Sequence, residues 1–329
     1  MTRDAPKDIA MVIPARNEVE RIGACLTAFK GQLCPRTTII LVINNTSDAT
    51  GSIAADVASR CGLDVEILEC VLTQDEGVGT ARRMGCDHAI GRMPHLRDIL
   101  TTDADCIVAP NWVARNVGHL QSADAVCGKI DLLEAERGIL DGMDQALAAT
   151  EGHYRTLVQS VYARHVASAR GLDRTHGEAA GASLAFRKTA YLAVGGFAQI
   201  TCGEDRQIVR AMRLAGYRVR HVDDVVVRAS CRLTGRALGG MSDALKARIS
   251  GADYLVDDCL PGAEWLVTNA ENGTLGAWPP LVPDARRLHV RELPQNIEKL
   301  ETFLGLLKAK RARTATCDSA MHGARVETG

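Results

Sequence analysis

The hydrophobic and polar positions of the chain follow two alternating periods over its first two thirds. Short continuous apolar runs, such as residues 9–14 and 38–43, are typical of strands that are buried on both faces. The segments between such runs carry apolar residues three or four positions apart, as in Val19, Ile22 and Leu26, which indicates helices. Alternating strands and helices imply right-handed crossovers. The pattern therefore predicts an α/β fold with a mainly parallel central sheet flanked by helices.

Further strands are predicted by the same pattern at residues 65–70, at a run that ends just before Asp103, and at residues 124–130, 181–187 and 217–227. One continuous helical pattern covers residues 133–169. Beyond about residue 260 the chain is rich in Pro, Gly and Asn and has one amphipathic segment at 297–307. We therefore predict an N-terminal tail at 1–8, a main domain at 9–235, a helical and loop appendage at 236–318, and a disordered tail at 319–329.

The charge balance and the cysteines indicate which partners and which cellular compartment to expect for the protein. Thirty-nine Lys and Arg oppose 40 Asp and Glu, so the net charge gives no reason to expect a nucleic acid partner. The 11 cysteines are scattered without a metal-binding spacing, which is typical of small buried residues in a reducing compartment. The polar N-terminus lacks the apolar core of a signal peptide, and no run is long enough to cross a bilayer. We expect a cytoplasmic protein, with peripheral membrane contact left open.

The pair Asp103 and Asp105 follows a short apolar run at Ile99 that is typical of the end of a buried strand. Residues two apart in an extended chain point the same way, so both carboxylates are expected to face one site. Carboxylates at a strand end suit Mg²⁺ or Mn²⁺, which usually complete their shell with water and phosphate oxygens. A polar turn capped by Asp is the plain structural alternative for this pair.

Ligands of open parallel sheets bind outside the carboxyl ends of the strands. The loops expected there place a set of polar side chains on one rim: Glu18, Asn44, Asp48, Arg82, Asp103 and Asp105. Arg82 lies in the first turns of a predicted helix, where anions are favoured and an Arg can fork onto a phosphate. Arg82 and its neighbour Arg83 would also fit a solvated helix face.

Six motifs, in this order, resemble the motif series of the family-2 glycosyltransferases. They are Val12-Ile-Pro-Ala-Arg-Asn-Glu18, Asn44-Asn-Thr-Ser-Asp-Ala-Thr50, Gly79-Thr-Ala-Arg82, Thr102-Asp-Ala-Asp105, Gly195-Gly-Phe197 and Gly203-Glu-Asp205. The resemblance covers residues 8–230. It implies a GT-A fold with the catalytic domain at 9–235. It also implies an inverting transferase of the hexosyltransferase class, which moves a sugar from a nucleotide-diphosphate donor to a small-molecule, glycan or lipid acceptor.

The resemblance also implies roles for single residues. Pro14, Arg16 and Glu18 match the loop that meets the nucleoside, and Asp103 and Asp105 match the Asp-x-Asp that meets the ribose and the metal-bound diphosphate. Asp205 matches the proposed base, with Glu204 beside it, and a plain helix cap is the structural alternative for Asp205.

One departure from the family concerns the second loop. The family commonly has Asp-Asp there, where this chain has Ile43-Asn44, which leaves the base of the donor open. The Gln/Arg-x-x-Arg-Trp signature of processive members is absent, so we expect transfer of a single sugar.

Two other functions share parts of this pattern. A sugar-nucleotide pyrophosphorylase has a similar α/β plan, but no Gly-rich loop with Lys follows the first strand here. A non-catalytic relative that binds nucleotide sugars would fit Asn44 but not the retention of Asp103, Asp105 and Asp205. A dehydrogenase is disfavoured because Gly-x-Gly-x-x-Gly is missing after the first strand.

Some polar residues remain ambiguous in the sequence. His221 is a candidate third metal ligand, and His153 and His165 lie on a helical face that would border an acceptor or be structural. A basic cluster follows the last strand and would contact the diphosphate or be solvated: Arg228, Arg232 and Arg236. Trp112 is expected in the core.

Overall fold

The structure is a computed structural model that describes residues 6–73, 76–235, 239–251 and 253–323. Its contacts divide the chain into two compact units. Where described, the first unit consists of Met1–Asp144, Arg174–Ala252 and Ala277–Pro279, and the second consists of Gln145–Asp173, Asp253–Gly276 and Pro280–Gly329.

Among the residues that the structure describes, eight strands form one sheet in the first unit, in the order β3-β2-β1-β4-β7-β6-β8-β5. They are β1 (Ile9–Ala15), β2 (Thr37–Asn44), β3 (Val65–Cys70), β4 (Asp98–Thr101), β5 (Cys106–Val108), β6 (Ala125–Leu132), β7 (Leu184–Arg187) and β8 (Val219–Ala229). Four of the seven neighbouring pairs are parallel, and β7 and β5 supply the antiparallel ones.

The described helices, in chain order, are α1 (Ile22–Thr27), α2 (Thr50–Cys61), α3 (Val78–Arg92), α4 (Trp112–Leu120), α5 (Gln145–His165), α6 (Lys188–Ala193), α7 (Glu204–Leu214), α8 (Met241–Ile249), α9 (Ala263–Asn272) and α10 (Leu293–Gly323). None of them combines the length and the apolar character that crossing a bilayer requires.

The central strands are buried on both faces because helices cover both sides of the sheet. Alternate residues of β1 enter two separate cores: Ile13 packs in the core that includes α1 and α2, and Val12 packs in the core that includes α3 and α7. Strand residues alternate between faces, so a continuous apolar run is what such a strand needs. The predicted α/β fold with a mainly parallel sheet is confirmed.

Two predicted elements differ in the structure. The predicted strand at 181–187 begins only at Leu184, because Gly181–Ser183 form a 3₁₀ turn. The predicted helix at 133–169 is divided into a 3₁₀ segment at Glu134–Gly142 and α5, and Met143 between them has extended backbone angles. Strand β5, which pairs antiparallel with β8, was not predicted.

The second unit is built on α5, α9 and α10. Buried tyrosines of α5 donate hydrogen bonds to main-chain carbonyls, from Tyr154 to Pro261 at 2.6 Å and from Tyr162 to Leu275 at 3.2 Å. His165 stacks on Phe303, with 5.8 Å between ring centroids. Buried tyrosines usually find such a partner, so these bonds tie α5 to the loops of its unit.

The predicted domain boundaries at 8, 235 and 318 stay a prediction. Residues 319–323, part of the predicted tail, belong to α10 in the structure, and the rest of that tail lies outside the described residues.

Candidate active site

Asp103 and Asp105 lie in the short connection between β4, which ends at Thr101, and β5, which begins at Cys106. A main-chain hydrogen bond from the Cys106 N–H to the Asp103 carbonyl, at 3.1 Å, closes this turn. A carboxylate oxygen of Asp103, one of Asp105 and the sulfur of Cys106 all lie within 4.8 Å of one another. The two carboxylates therefore face one site, as predicted, although a tight turn and not an extended strand brings them together.

The ligand chemistry of this cluster decides which ions fit. Burial, followed by the nearby carboxylates of Asp105 and Asp103, raises the pKa of the Cys106 thiol well above its usual value. A cysteine sulfur is a soft ligand, whereas Mg²⁺ and Mn²⁺ prefer oxygen ligands. The remaining donors are two carboxylates, which suit Mg²⁺ or Mn²⁺. Burial and the charge of Asp103 raise the pKa of Asp105 to about 6, and a bound cation would favour its ionised form.

Arg82 joins the Asp pair to the acidic start of α7. It lies in the second turn of α3 and is 3% exposed. Its Nη2 donates to Asp103 and its Nη1 donates to Glu204. Burial opposes the charge of Arg82, but Asp103 and Glu204 outweigh it and raise the pKa of the guanidinium. Arg82 is thus a buried part of the site, and the interpretation as a solvated helix face is wrong for this residue.

Glu204 and Asp205 open α7, but their side chains have different surroundings. Glu204 is 2% exposed, and burial raises its pKa to about 7 although Arg82 acts in the opposite direction. Asp205 is half-buried and accepts hydrogen bonds from the Gly181 N–H at 2.9 Å and the Arg206 N–H at 2.7 Å. The Glu204 carboxylate is therefore paired with Arg82, whereas the Asp205 carboxylate is partly exposed beside the turn that precedes β7.

Gly181 covers the guanidinium of Arg82. A Cβ atom built at this glycine would lie 2.4–2.5 Å from Cζ, Nη1 and Nη2 of Arg82. The Gly181 carbonyl accepts a hydrogen bond from the Thr101 hydroxyl at 2.8 Å, which fixes the turn against β4. Because only glycine leaves this space, Gly181 belongs to the site even though it carries no functional group.

Arg232 brings the segment after β8 to the same place. Its Nη1 donates to Glu18 Oε2 at 2.7 Å, and its Nη2 contacts Glu18 Oε1 and lies 2.9 Å from Asp105 Oδ2. The Glu136 carboxylate accepts hydrogen bonds from the Ser230 hydroxyl at 2.7 Å and from the Cys231 N–H at 2.8 Å, which holds the start of this segment. Glu18 and Asp105 thus share one cation.

The other predicted rim residues surround these contacts. Pro14 is buried in β1 opposite Val42, and Arg16 is exposed just after that strand. Asn44 is buried at the end of β2. Ile43, the first residue of the pair Ile43-Asn44, is a core residue.

Asp48 has a structural role in the same rim. Its Oδ1 accepts from the Thr50 N–H at 3.0 Å at the start of α2, and its Oδ2 accepts from the Val19 N–H at 3.3 Å. These bonds tie the loop after β1 to the loop after β2.

Comparison with known proteins agrees with this geometry. A family model described as glycosyl transferase family 2 matches residues 10–178, which is more than half of the chain. This chain belongs to glycosyltransferase family 2. The glycosyltransferase AglE of Haloferax volcanii is 27% identical over 127 residues, which are 37% of this chain and 39% of that protein. The match thus spans well under half the length of this relative.

Solved structures share the fold at low sequence identity. The mannosyltransferase PcManGT from Pyrobaculum calidifontis, in complex with GDP-Man and Mn²⁺, is 18% identical with a TM-score of 0.51, over 96% of this chain and 81% of that one. TarS 1-349 of S. aureus, in complex with UDP-GlcNAc, is 14% identical with a TM-score of 0.50, over 89% of this chain and 71% of that one. The GT-A fold is confirmed.

His221, the candidate third metal ligand of this family-2 glycosyltransferase, lies apart from the Asp pair. His221 lies on β8 eight residues before Ala229, the residue that pairs with Cys106, which places it roughly 20 Å away or more along the strand. Its Nδ1 lies 3.2 Å from Nη2 of Arg213. The hypothesis that His221 is a third ligand of this site is therefore wrong.

His153 and Arg83 form contacts that do not involve the Asp pair. His153 pairs with Glu301 at 2.9 Å inside the second unit. Arg83 donates to the carbonyls of Gly195 and Phe197, at 2.8 and 2.9 Å. Of the basic cluster, Arg228 is exposed, Arg232 contacts Glu18 and Asp105, and Arg236 lies outside the described residues. Trp112 is fully buried, as expected.

Sequence reasoning missed Gly181, Asn17 and Asn45. Asn17 and Asn45 both have positive φ angles, which Asn tolerates better than most residues. Asn17 accepts from the Ser47 N–H, and Asn45 bonds the main chain of Leu72 in both directions. An Asn within two residues of the end of a strand is the sequence signal that predicts such turns.

Proposed function

We propose that this family-2 glycosyltransferase is an inverting, metal-dependent enzyme that transfers one sugar from a nucleotide-diphosphate donor to an acceptor hydroxyl. The observation that supports it most is the arrangement around Arg82. Its guanidinium contacts Asp103 of the Asp pair and Glu204 beside the proposed base, and Gly181 covers it while bonding Asp205. The groups for donor binding and for proton removal thus adjoin one another.

In this proposal Asp205 is the general base. An acceptor hydroxyl is a weak nucleophile, so a carboxylate must take its proton as it attacks the anomeric carbon. Attack on the face opposite the departing diphosphate inverts that carbon. Two main-chain N–H groups orient Asp205. Glu204 is the next candidate, but its bond to Arg82 fits a positioning role better.

The remaining proposed roles concern the donor. Asp103 and Asp105 would hold Mn²⁺ or Mg²⁺, and the ion would stabilise the negative charge that develops on the leaving diphosphate. Pro14, Arg16, Glu18 and Asn44 border the nucleoside. One structurally similar protein was solved with GDP-Man and Mn²⁺ and another with UDP-GlcNAc, so both nucleotides merit testing.

The proposal also covers the cellular compartment of the enzyme and the class of its acceptor. We propose a cytoplasmic enzyme, on the basis of 11 scattered cysteines without paired spacing. Its acceptor is a small molecule, a glycan or a lipid, and peripheral contact with a membrane fits the last of these.

The test is calorimetric titration of UDP, GDP and dTDP with Mn²⁺ present and with EDTA present. We expect one of these nucleotides to bind only with the cation, because the cation would join the carboxylates of the Asp pair to the anionic diphosphate. The Asp105→Ala variant should lose most of this dependence. Asp56→Ala is the control, because Asp56 lies on α2 and forms an exposed pair with Arg60. Equal affinity with and without Mn²⁺ would remove the metal from the proposal.

The stereochemistry is tested separately. Once a donor sugar is identified, NMR of the first product should show the anomeric configuration opposite to that of the donor. Retention of configuration would contradict the inverting mechanism without affecting the family assignment.

A further inference from the structure

Arg232 neutralises the carboxylate that is proposed to bind the metal. Its guanidinium lies 2.9 Å from Asp105 Oδ2 while it also contacts both oxygens of Glu18. The Arg232 side chain is 15% exposed and that of Asp105 is 23% exposed, so this ion pair is largely shielded from water. In the donor-free protein, one arginine therefore already occupies the position of a counter-ion at Asp105.

The main chain next to Arg232 is held independently of this ion pair. Glu136 binds the Ser230 hydroxyl and the Cys231 N–H, and Arg21 in turn pairs with Glu136. None of these bonds involves Asp105. The side chain of Arg232 can therefore change its partner while the end of β8 stays in place.

A guanidinium and a divalent cation compete for the same carboxylate oxygens. Both are positively charged, so they repel each other when both are close to Asp105. The diphosphate that arrives with the cation is a new anion, and the planar fork of Arg suits phosphate oxygens well. A bound donor therefore offers Arg232 a replacement for the contact that it loses.

We propose that Arg232 is an exchange residue, which binds Glu18 and Asp105 in the donor-free protein and leaves Asp105 for the diphosphate when donor and metal are bound. This inference rests on the metal site of the proposed function. It makes the protein bind metal weakly in the absence of donor and couples the two ligands. Because such coupling is reciprocal, the nucleotide raises metal affinity by the same factor as the metal raises nucleotide affinity.

The test measures Mn²⁺ binding from the EPR signal of free Mn²⁺, without nucleotide and with UDP or GDP. Without nucleotide, Arg232→Gln should bind Mn²⁺ about tenfold tighter than the wild type, because a charged hydrogen bond no longer competes for Asp105. With Mn²⁺ present, the same variant should bind the nucleotide about tenfold more weakly, because the fork onto the diphosphate is lost. These opposite changes are the signature of the exchange.

Two further variants keep the test decisive. Arg228→Gln removes the same charge from an exposed position four residues earlier, and we expect wild-type binding from it. Arg232→Lys keeps the charge but cannot bind Glu18 and Asp105 through a planar fork, so it should show both changes more weakly. Circular dichroism and thermal unfolding check folding, and Arg232→Lys provides the measurement if Arg232→Gln does not fold.

The outcomes separate the two proposals. If Arg232→Gln, or Arg232→Lys in its place, binds Mn²⁺ no tighter than the wild type while nucleotide binding still needs Mn²⁺, the exchange is wrong and the metal site stands. If the nucleotides bind the wild type equally with Mn²⁺ and with EDTA, the proposed metal site is wrong. The exchange is then wrong too, because it depends on that site.

Discussion

The contact between Gly181 and Arg82 shows how a residue without a functional group determines the geometry of this site. The guanidinium reaches Asp103 and Glu204 only while the turn before β7 leaves room for it. Gly181 has no positive φ angle, so the reason for glycine here is the space and not the backbone conformation. The size of one side chain, and not its chemistry, is what this position selects.

We expect Gly181→Ala to displace Arg82 and to weaken nucleotide binding with Mn²⁺. The added methyl group would meet three guanidinium atoms, and overpacking of this kind typically costs about 1–3 kcal/mol of stability. Gly91→Ala is the matched control. Gly91 lies in the last turn of α3, and a Cβ atom there would meet nothing within 4 Å. Chemical denaturation and calorimetric titration measure the two effects. Equal behaviour of the two variants would contradict the role of Gly181.

We expect Asp205→Asn to lose transfer while it keeps its melting temperature and its donor affinity. Removal of a general base typically costs 10²–10⁴-fold in rate, which is roughly 3–5 kcal/mol of barrier. Asn keeps one oxygen that accepts from Gly181 N–H or Arg206 N–H, so the start of α7 should stay folded. The measurement is turnover with an identified acceptor, beside thermal unfolding. Near wild-type turnover would place the base elsewhere, with Glu204 next in line.

Residue types and their order were enough to predict the Asp pair, Arg82 and the acidic start of α7. Gly181 and the partners of Arg232 were not predictable in the same way, because their importance comes from contacts across the sheet. Gly181 lies 99 positions from Arg82, and Arg232 lies 214 positions from Glu18. No local pattern records which side chain a distant turn will meet.

At the scale of whole elements, periodicity predicted the long strands and failed at short or irregular segments. β1, β2 and β3 are strands of six to eight residues, and they match the predicted segments closely. β5 has only three residues, which is too short for a period to show. The break between the 3₁₀ segment and α5 depends on the backbone angles of Met143, and helical spacing of apolar residues does not reveal them.

His221 allows a prediction about the packing of β8 against β6 and α7. It pairs in register with Cys127 of β6, its Nδ1 faces Arg213 of α7, and its ring contacts that of His176. Burial first, and then the charges of Arg213 and His176, lower the pKa of His221 well below its usual value. The unfolded chain, in which histidine titrates near pH 6.5, then binds the proton more readily than the folded protein.

The free energy of unfolding should therefore fall as the pH drops below about 6.5, by at most ~1.4 kcal/mol per pH unit from this group. We expect His221→Asn to flatten this dependence between pH 7 and 5 in urea denaturation. His95→Asn changes an exposed histidine and should leave the slope as it is in the wild type. An unchanged slope in His221→Asn would assign the acid sensitivity to other groups.

At the scale of the whole molecule, every described residue proposed for donor binding or catalysis belongs to the first unit. Residues from the loops after β1, β2 and β4, from α3 and α7, and from the segment after β8 all lie within it. The second unit has its own buried groups, including the Tyr254 hydroxyl, which donates to Glu151 at 3.2 Å. The chain enters the second unit three times, at Gln145, Asp253 and Pro280.

This arrangement predicts where a bound donor changes hydrogen exchange. A ligand that binds the native state raises stability, and amide protection rises most in the elements that it contacts. With Mn²⁺ and a nucleotide that binds, we expect slower exchange in peptides that contain Glu18, Asp105 and Arg232. Peptides from α9, in the second unit, should exchange at an unchanged rate. Mass spectrometry at several labelling times measures both sets in one experiment, and the nucleotide without Mn²⁺ serves as the control. Protection of α9 equal to that around Asp105 would mean that the donor stabilises both units, and the donor site would then extend beyond the residues proposed here.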